Sequence, residues 1–294
     1  MLDPNTAKLI LWAFDTETGL IQPGLLAPQV VCLSCSGQDC QPDLMLHEEG
    51  FALLVQQLQD DRVLLIGHNI AYDFGVMVAA YPELLPLVFQ AYIQGRVSDT
   101  MLREQLLDLA VGKLNDGTAG RNAARQYDMA SLWERYTGQD ISEDKKSPDA
   151  WRLRYSELEN VPVSQWPHAA AQYAKDDAVR TLLLWQHQSD RNNEVNNRNG
   201  NELRHAALRD NGRVVNEEEL VASAWVLHLM GMWGVRTNGP KIAALAERLM
   251  VERDRSTNAL LRAGILKYKK GSGGDTQKDM ARVKALVESA YRNG

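Results

Sequence analysis

Cysteine is scarce in this chain: Cys32, Cys35 and Cys40 are the only three in 294 residues. So few, within one short stretch, exclude a disulfide framework as the source of stability. Cys32-Leu33-Ser34-Cys35, with His47 beyond, has the outline of half a zinc site. Val30 to Ser36 reads as a strand, however, and strand residues three apart point to opposite faces. Buried, reduced cysteines are therefore expected. Long apolar runs are missing too. None approaches the ~18–20 residues of a membrane-spanning helix, and the opening Met1-Leu2-Asp3-Pro4-Asn5 has no basic leader region. A cytoplasmic protein without a membrane partner is expected. Nor is positive charge in excess, the formal net charge being −6. That argues against wide electrostatic coverage of nucleic acid, but not against gripping a short single strand in a cleft. The acidic excess lies upstream. Beyond Val251, residues such as Arg253, Arg255, Arg262, Lys267, Lys269, Lys278, Arg282 and Lys284 outnumber the acids. That basic tail is either a solvated helix surface or a face for a phosphate backbone.

Apolar content of 45% and charged content of 24% are those of a globular chain long enough for one large domain or two ordinary ones. Lys8 to Asp15 reads as a buried strand, with Gln29 to Ser36 as its antiparallel neighbour after the Pro23-Gly24 and Pro28 turn signals. Leu44 to His47 suggests a third strand. Glu49 to Leu58 has helical spacing. Val63 to Gly67 is a short apolar strand, followed by a helix from Ile70 to Tyr81 that Pro82 stops. Val97 to Thr100 suggests another strand, with Asp99 or Ser98 capping a helix through Leu109. Strands separated by helices predict an α/β sheet. Ser131 to Tyr136 and Ala169 to Gln188 are helical patterns, with loops and short helices over Gly138 to Pro167. Arg191 to Gly212 reads as a polar linker in which Glu202 to Arg209 has helical character. Helices follow over Glu217 to Trp233, Pro240 to Ala263 and Asp279 to Tyr291, the last after a flexible Gly271-Ser272-Gly273-Gly274 break.

Four carboxylates in three separated motifs carry the chemistry. In Phe14-Asp15-Thr16-Glu17-Thr18-Gly19, Asp15 and Glu17 are two apart on a strand, hence on one face, at the carboxyl end where open α/β sheets place ligands. In Gly67-His68-Asn69-Ile70-Ala71-Tyr72-Asp73, Asn69 and Asp73 share a face at a helix start, and Asn69 is equally readable as that helix's cap. Asp73, flanked by aromatics beyond an apolar strand, needs a charged partner, and a metal fits. In Tyr173-Ala174-Lys175-Asp176-Asp177, Tyr173 and Asp177 are one turn apart. Asp176 lies about 100° away around the helix, so the spacing favours Asp177. Hard oxygen ligands that leave water and phosphate positions open are what metal-assisted phosphodiester cleavage requires.

The order, contexts and spacing of these motifs resemble those of DEDD-superfamily 3′-5′ exonucleases, in the branch with Tyr at the third motif. The proofreading domain of bacteriophage-like family A DNA polymerases is the nearest type. The resemblance runs from about Lys8 to Asp190 and is specific. It implies an RNase H-like fold, a mixed sheet flanked by helices, with an exonuclease domain over 1–212. The implied catalytic set is Asp15, Glu17, Asp73, Tyr173 and Asp177. The four carboxylates would hold two Mg²⁺ ions, with Mn²⁺ as a substitute, and Tyr173 would orient water. The implied reaction releases nucleoside monophosphates from single-stranded DNA 3′ ends, with Thr16, Asn69, Leu20 and Ile21 as substrate contacts. Plain core packing is the competing reading for Leu20 and Ile21. Residues 213–294 form a helical extension. Trp225-Val226-Leu227-His228-Leu229-Met230 and Gly234-Val235-Arg236-Thr237-Asn238 resemble the thumb-side entry of such polymerases, which makes primer–template duplex a further partner. No second carboxylate set follows Asp190, so no polymerase site is expected. An RNase D-like RNA 3′-exonuclease is the alternative.

Overall fold

The computed structural model describes residues 9–37, 40–110, 127–142, 149–198, 214–234, 238–269 and 274–293. They fall into two compact units, Met1–Gly234 and Val235–Gly294. The first is built on a mixed five-stranded sheet of order β3-β2-β1-β4-β5. Its strands are β1 (Ile10–Thr18), β2 (Val30–Gly37), β3 (Cys40–Leu46), β4 (Val63–Gly67) and β5 (Val97–Asp99). The first three pair antiparallel, and β4 and β5 join in parallel through helical crossovers. The helices are α1 (His47–Gln59), α2 (Ile70–Ala80), α3 (Leu85–Ile93), α4 (Thr100–Ala110), α5 (Met129–Thr137), α6 (His168–Arg198) and α7 (Glu217–Trp233). No helix among the described residues is long and apolar enough to cross a membrane.

Alternation along β1 divides the core. Trp12 and Phe14 face one side, with Leu33, Leu65, Phe74 and Trp225. Ala13 faces the other, with Leu64, Ile66 and the α6 residues Leu182 and Trp185. Cys32 and Cys35 likewise lie buried in different clusters on β2, as opposite-facing strand positions require.

Three helices of this unit depart from the sequence reading. Helix α3 was not read from the sequence; Pro86 sits in its first turn, where a missing N–H costs nothing. Helix α6 continues ten residues past Gln188 into the polar stretch read as a linker, whose remainder, 199–212, lies outside the described residues. Helix α7, assigned above to the extension, packs within the first unit. Trp225 is fully buried against Tyr92 and Phe74, and Glu217 is fully buried at the helix start. Glu217 pairs with the equally buried Arg103 of α4 at 2.9 Å, accepts from Ser98 Oγ, and accepts the Val214 N–H. Where α7 crosses α2 the approach is close. A Cβ on Gly75 would lie 2.5 Å from His228 Nε2, so a larger residue there requires the His228 side chain to shift.

The second unit comprises α8 (Gly239–Arg262), the antiparallel pair β6 (Leu266–Tyr268) and β7 (Thr276–Lys278), and α9 (Met280–Asn293). Asn238 caps α8 by accepting the Lys241 N–H, with Pro240 in the first turn. The small hairpin replaces what reads as a bare flexible break, although Gly271, Ser272 and Gly273 themselves lie outside the described residues. None of the unit's described residues is buried. Arg253, Arg255, Lys267, Lys269 and Lys284 each have an acidic neighbour within 4 Å.

Candidate metal centre

Strand β1 is longer than its parallel partner. Pairing with β4 ends at Ala13↔Ile66, whereas pairing with β2 continues through Asp15↔Ser34 and Glu17↔Cys32. Asp15 to Glu17 therefore overhang the parallel half of the sheet at its carboxyl edge. On the face of Ala13, Asp15 and Glu17 meet Asp177 of α6. One carboxylate oxygen from each of the three lies within 4.8 Å of the others. Asp15 is partly buried, and Glu17 and Asp177 are buried. Three converging carboxylates repel one another unless cations compensate, and an all-oxygen donor set suits Mg²⁺ or Mn²⁺. The residues fit such an ion.

Helix α6 decides which of its two adjacent aspartates arrives. Asp177 faces the cluster, while Asp176 points aside, accepting from Gln172 Nε2 at 2.6 Å. Arg180 spans both, with Nη1 at 3.3 Å from Asp177 Oδ1 and Nη2 at 3.4 Å from Asp176 Oδ2. Tyr173, one turn before Asp177, packs on the buried Tyr155, which donates to the Ala170 carbonyl at 2.8 Å. Burial first, then the charges of Asp177, Glu17 and Asp15, push the Tyr173 phenol well above its ordinary pKa. It stays a neutral hydroxyl, a donor and acceptor rather than a base.

Asp73 arrives by a different route and does not join the three-carboxylate group. Beyond Ala13 the edge of β1 has no β4 partner, and Asp73 Oδ1 fills that place. It accepts the Thr16 N–H at 3.0 Å and the Thr16 hydroxyl at 2.6 Å. Both donors of Thr16, a residue read above as a substrate contact, thus go to Asp73. Burial raises the Asp73 carboxyl to about 7, against the two Thr16 bonds and with the Asp99 charge adding to the rise. Next to it, Tyr72 Oη lies 2.7 Å from Thr18 Oγ1, tying α2 to the end of β1 a second time.

Asp99 is a residue whose full role the sequence did not disclose. Its carboxylate accepts Met101 N and Leu102 N of α4, the capping that its position suggests. It also accepts Asn69 N and Ile70 N at the start of α2. One buried side chain thus caps two helices, and burial lifts its pKa to about 6 despite those bonds. Asn69 holds the N-cap position of α2 in a left-handed conformation (φ 64°), makes no side-chain cap bond, and is exposed. Leu20 and Ile21, just past β1, are 51% and 57% exposed and open to a ligand.

The profile of the 3′-5′ exonuclease family matches residues 5–190, which include β1, α2 and most of α6. The chain belongs to this family. It is a nuclease of the DEDD type, and the mixed sheet flanked by helices is the RNase H-like exonuclease fold. Among solved structures, the exonuclease is similar to one described as the apo form of a nuclease. The identity is 14%, over 79% of this chain and 89% of that one, with a TM-score of 0.43. It is also similar to the EXO domain of Nibbler from Aedes aegypti, at 14% identity over 75% of this chain and 87% of that one, with a TM-score of 0.42.

Proposed function

We propose that this chain removes nucleotides from the 3′ end of single-stranded DNA as nucleoside monophosphates, in the Tyr branch of the superfamily, with Mg²⁺ in two positions and Mn²⁺ as a substitute. The observation that carries the reading is the convergence of Asp15, Glu17 and Asp177 within 4.8 Å, one helical turn from Tyr173. Divalent ions bound there supply an activated water and offset the charge that builds on the leaving 3′-oxygen. Asp15, Glu17 and Asp177 would hold such an ion directly, and Asp73 would support a second from beside the cluster. Asp73 also fixes Thr16, and with it the strand segment that aims Asp15 and Glu17. Tyr173, kept neutral, accepts or donates a hydrogen bond to the incoming water. As the water oxygen bonds to phosphorus, the P–O3′ bond breaks, and a proton from water ends on the new 3′-hydroxyl. Leu20 and Ile21 offer apolar surface on which terminal bases stack, and Asn69 a polar contact. The stretch from Trp225 to Asn238, as the start of a polymerase-like extension, and a bacteriophage-like origin belong to the same proposal.

The test is a gel assay of 5′-labelled single-stranded DNA. With Mg²⁺ the strand shortens from its 3′ end. EDTA or Asp15→Ala abolishes the ladder, and Mg²⁺ or Mn²⁺ added after chelation restores it. Full activity in EDTA overturns the metal-dependent reading, and preference for an RNA strand of the same sequence overturns the DNA assignment.

A further inference from the structure

We propose that Arg180 is a positioning residue that sets how tightly the carboxylate cluster binds a divalent cation, with Asp176 as the seat to which its guanidinium withdraws. This rests on the reading above that Asp15, Glu17 and Asp177 hold such a cation. Asp176 and Asp177 stand four and three residues before Arg180 on α6, the two spacings that meet on a helix surface. The side chain, 14% exposed, sits between the two carboxylates, with N–O distances of 3.4 and 3.3 Å. Both exceed the ~2.7–2.9 Å of a fully formed charge-assisted bond. The guanidinium is shared rather than committed. Asp177 Oδ1, which accepts from Arg180, belongs to a carboxylate of the proposed cation site. A cation approaching Asp177 therefore competes with Arg180 for the same carboxylate and is repelled by its charge. Asp176, 35% exposed and anchored by Gln172, offers Arg180 a complete ion pair about 100° around the helix from Asp177 and so outside the cluster. The adjacent Asp-Asp of the third motif acquires two distinct tasks: Asp177 holds the cation, and Asp176 holds the arginine that regulates it.

The pair makes predictions of opposite sign. Arg180→Ala removes the competitor and lowers the half-saturating Mn²⁺ concentration by about three- to tenfold, the scale of a screened charge interaction near a protein surface. Asp176→Ala leaves Arg180 only the cluster and raises that concentration. Arg180→Lys keeps the charge and lies between wild type and Arg180→Ala. The measurement is calorimetric Tm of the full chain against Mn²⁺, with no substrate, so loss of activity cannot mimic the result. A merely structural role for Arg180 lowers Tm by the same amount at every Mn²⁺ concentration and overturns the inference, as does unchanged or weaker Mn²⁺ binding in Arg180→Ala. Where Arg180→Ala does not fold, Arg180→Gln is read in its place. A wild-type Tm indifferent to Mn²⁺ overturns the cation site itself. A wild type that responds while the variants titrate identically to it overturns only the role of Arg180.

Discussion

Tyr173 and Asp177 sit one helical turn apart, yet their removal has different consequences. On the proposed mechanism Asp177→Ala takes away a cation ligand and should cost several orders of magnitude in rate. Tyr173→Phe loses one water-orienting hydroxyl and costs ~10²-fold, the low end for groups that position a proton. Single-turnover digestion of labelled DNA separates the two, and equal losses would mean that the phenol does more than orient. Asp73 gives a stability signature as well. Burial pushes its carboxyl up from an ordinary 3.8 to about 7, and pushes that of Asp99 in the same direction, to about 6. A folded-state pKa above the unfolded one means that the folded protein holds the proton more tightly. That contribution is complete below the unfolded pKa and is lost as pH rises through the folded one. In EDTA, Tm therefore falls between roughly pH 4 and 7, and Asp73→Asn flattens the slope. A Tm that climbs over this window in wild type, or an unaltered slope in Asp73→Asn, contradicts the assignment. At this scale the sequence was readable where one element carried both partners: strand alternation put Asp15 with Glu17, and helical spacing chose Asp177 over Asp176. The Thr16–Asp73 bonds were hidden because they depend on where β1 loses its parallel neighbour, a register that no local pattern encodes.

Among the elements, α7 shows how far the folded unit outlasts the family match. Residues 5–190 carry the match, but Trp225 and Glu217 lie beyond them in the core. Cutting the chain near residue 212, where a sequence reading ends the exonuclease domain, strips Trp225 from Tyr92 and leaves Arg103 charged without its Glu217 partner. Removing one member of a buried ion pair costs about 3–5 kcal/mol, and Trp→Ala in a core costs about as much. Glu217→Ala and Trp225→Ala should each lower denaturant stability by that order. Truncation at 212 should yield a poorly folded protein, whereas truncation after Gly234 keeps the unit whole. Equal stability of the two truncations would contradict this. Strands β2 and β4 were legible because each is a short apolar run bounded by turn residues. Helix α3 was not, since Leu85-Pro86 looks like a break unless Pro86 falls in a first turn. The β6–β7 hairpin was not either, being only three residues a side, none of them buried.

For the whole molecule, charge is unevenly divided between the two units. The net charge is −6, yet the C-terminal unit is rich in lysine and arginine, several already sharing acidic neighbours. Removing it at Gly234 should leave strand digestion intact while weakening DNA binding and flattening its dependence on salt, because each lost phosphate contact removes close to one unit of slope. Fluorescence anisotropy across a salt series measures both, and an unchanged slope makes the basic surface a solvated one. Primer extension with all four nucleotides should give no product longer than the primer, since no carboxylate set after Asp190 matches the one before it.

Cys32 lies buried directly across the β1–β2 ladder from Glu17, and burial together with the Glu17 charge pushes its thiol well above the ordinary pKa. A thiol that is both covered and protonated does not react with alkylating reagents until the strand behind it opens. With Cys35 and Cys40 changed to serine, the modification rate of Cys32 becomes a clock for that opening, read by mass spectrometry without any substrate. Cation binding to Glu17 on the neighbouring strand should slow the clock, so that a covered thiol on the same face of the sheet reports on what its edge has captured.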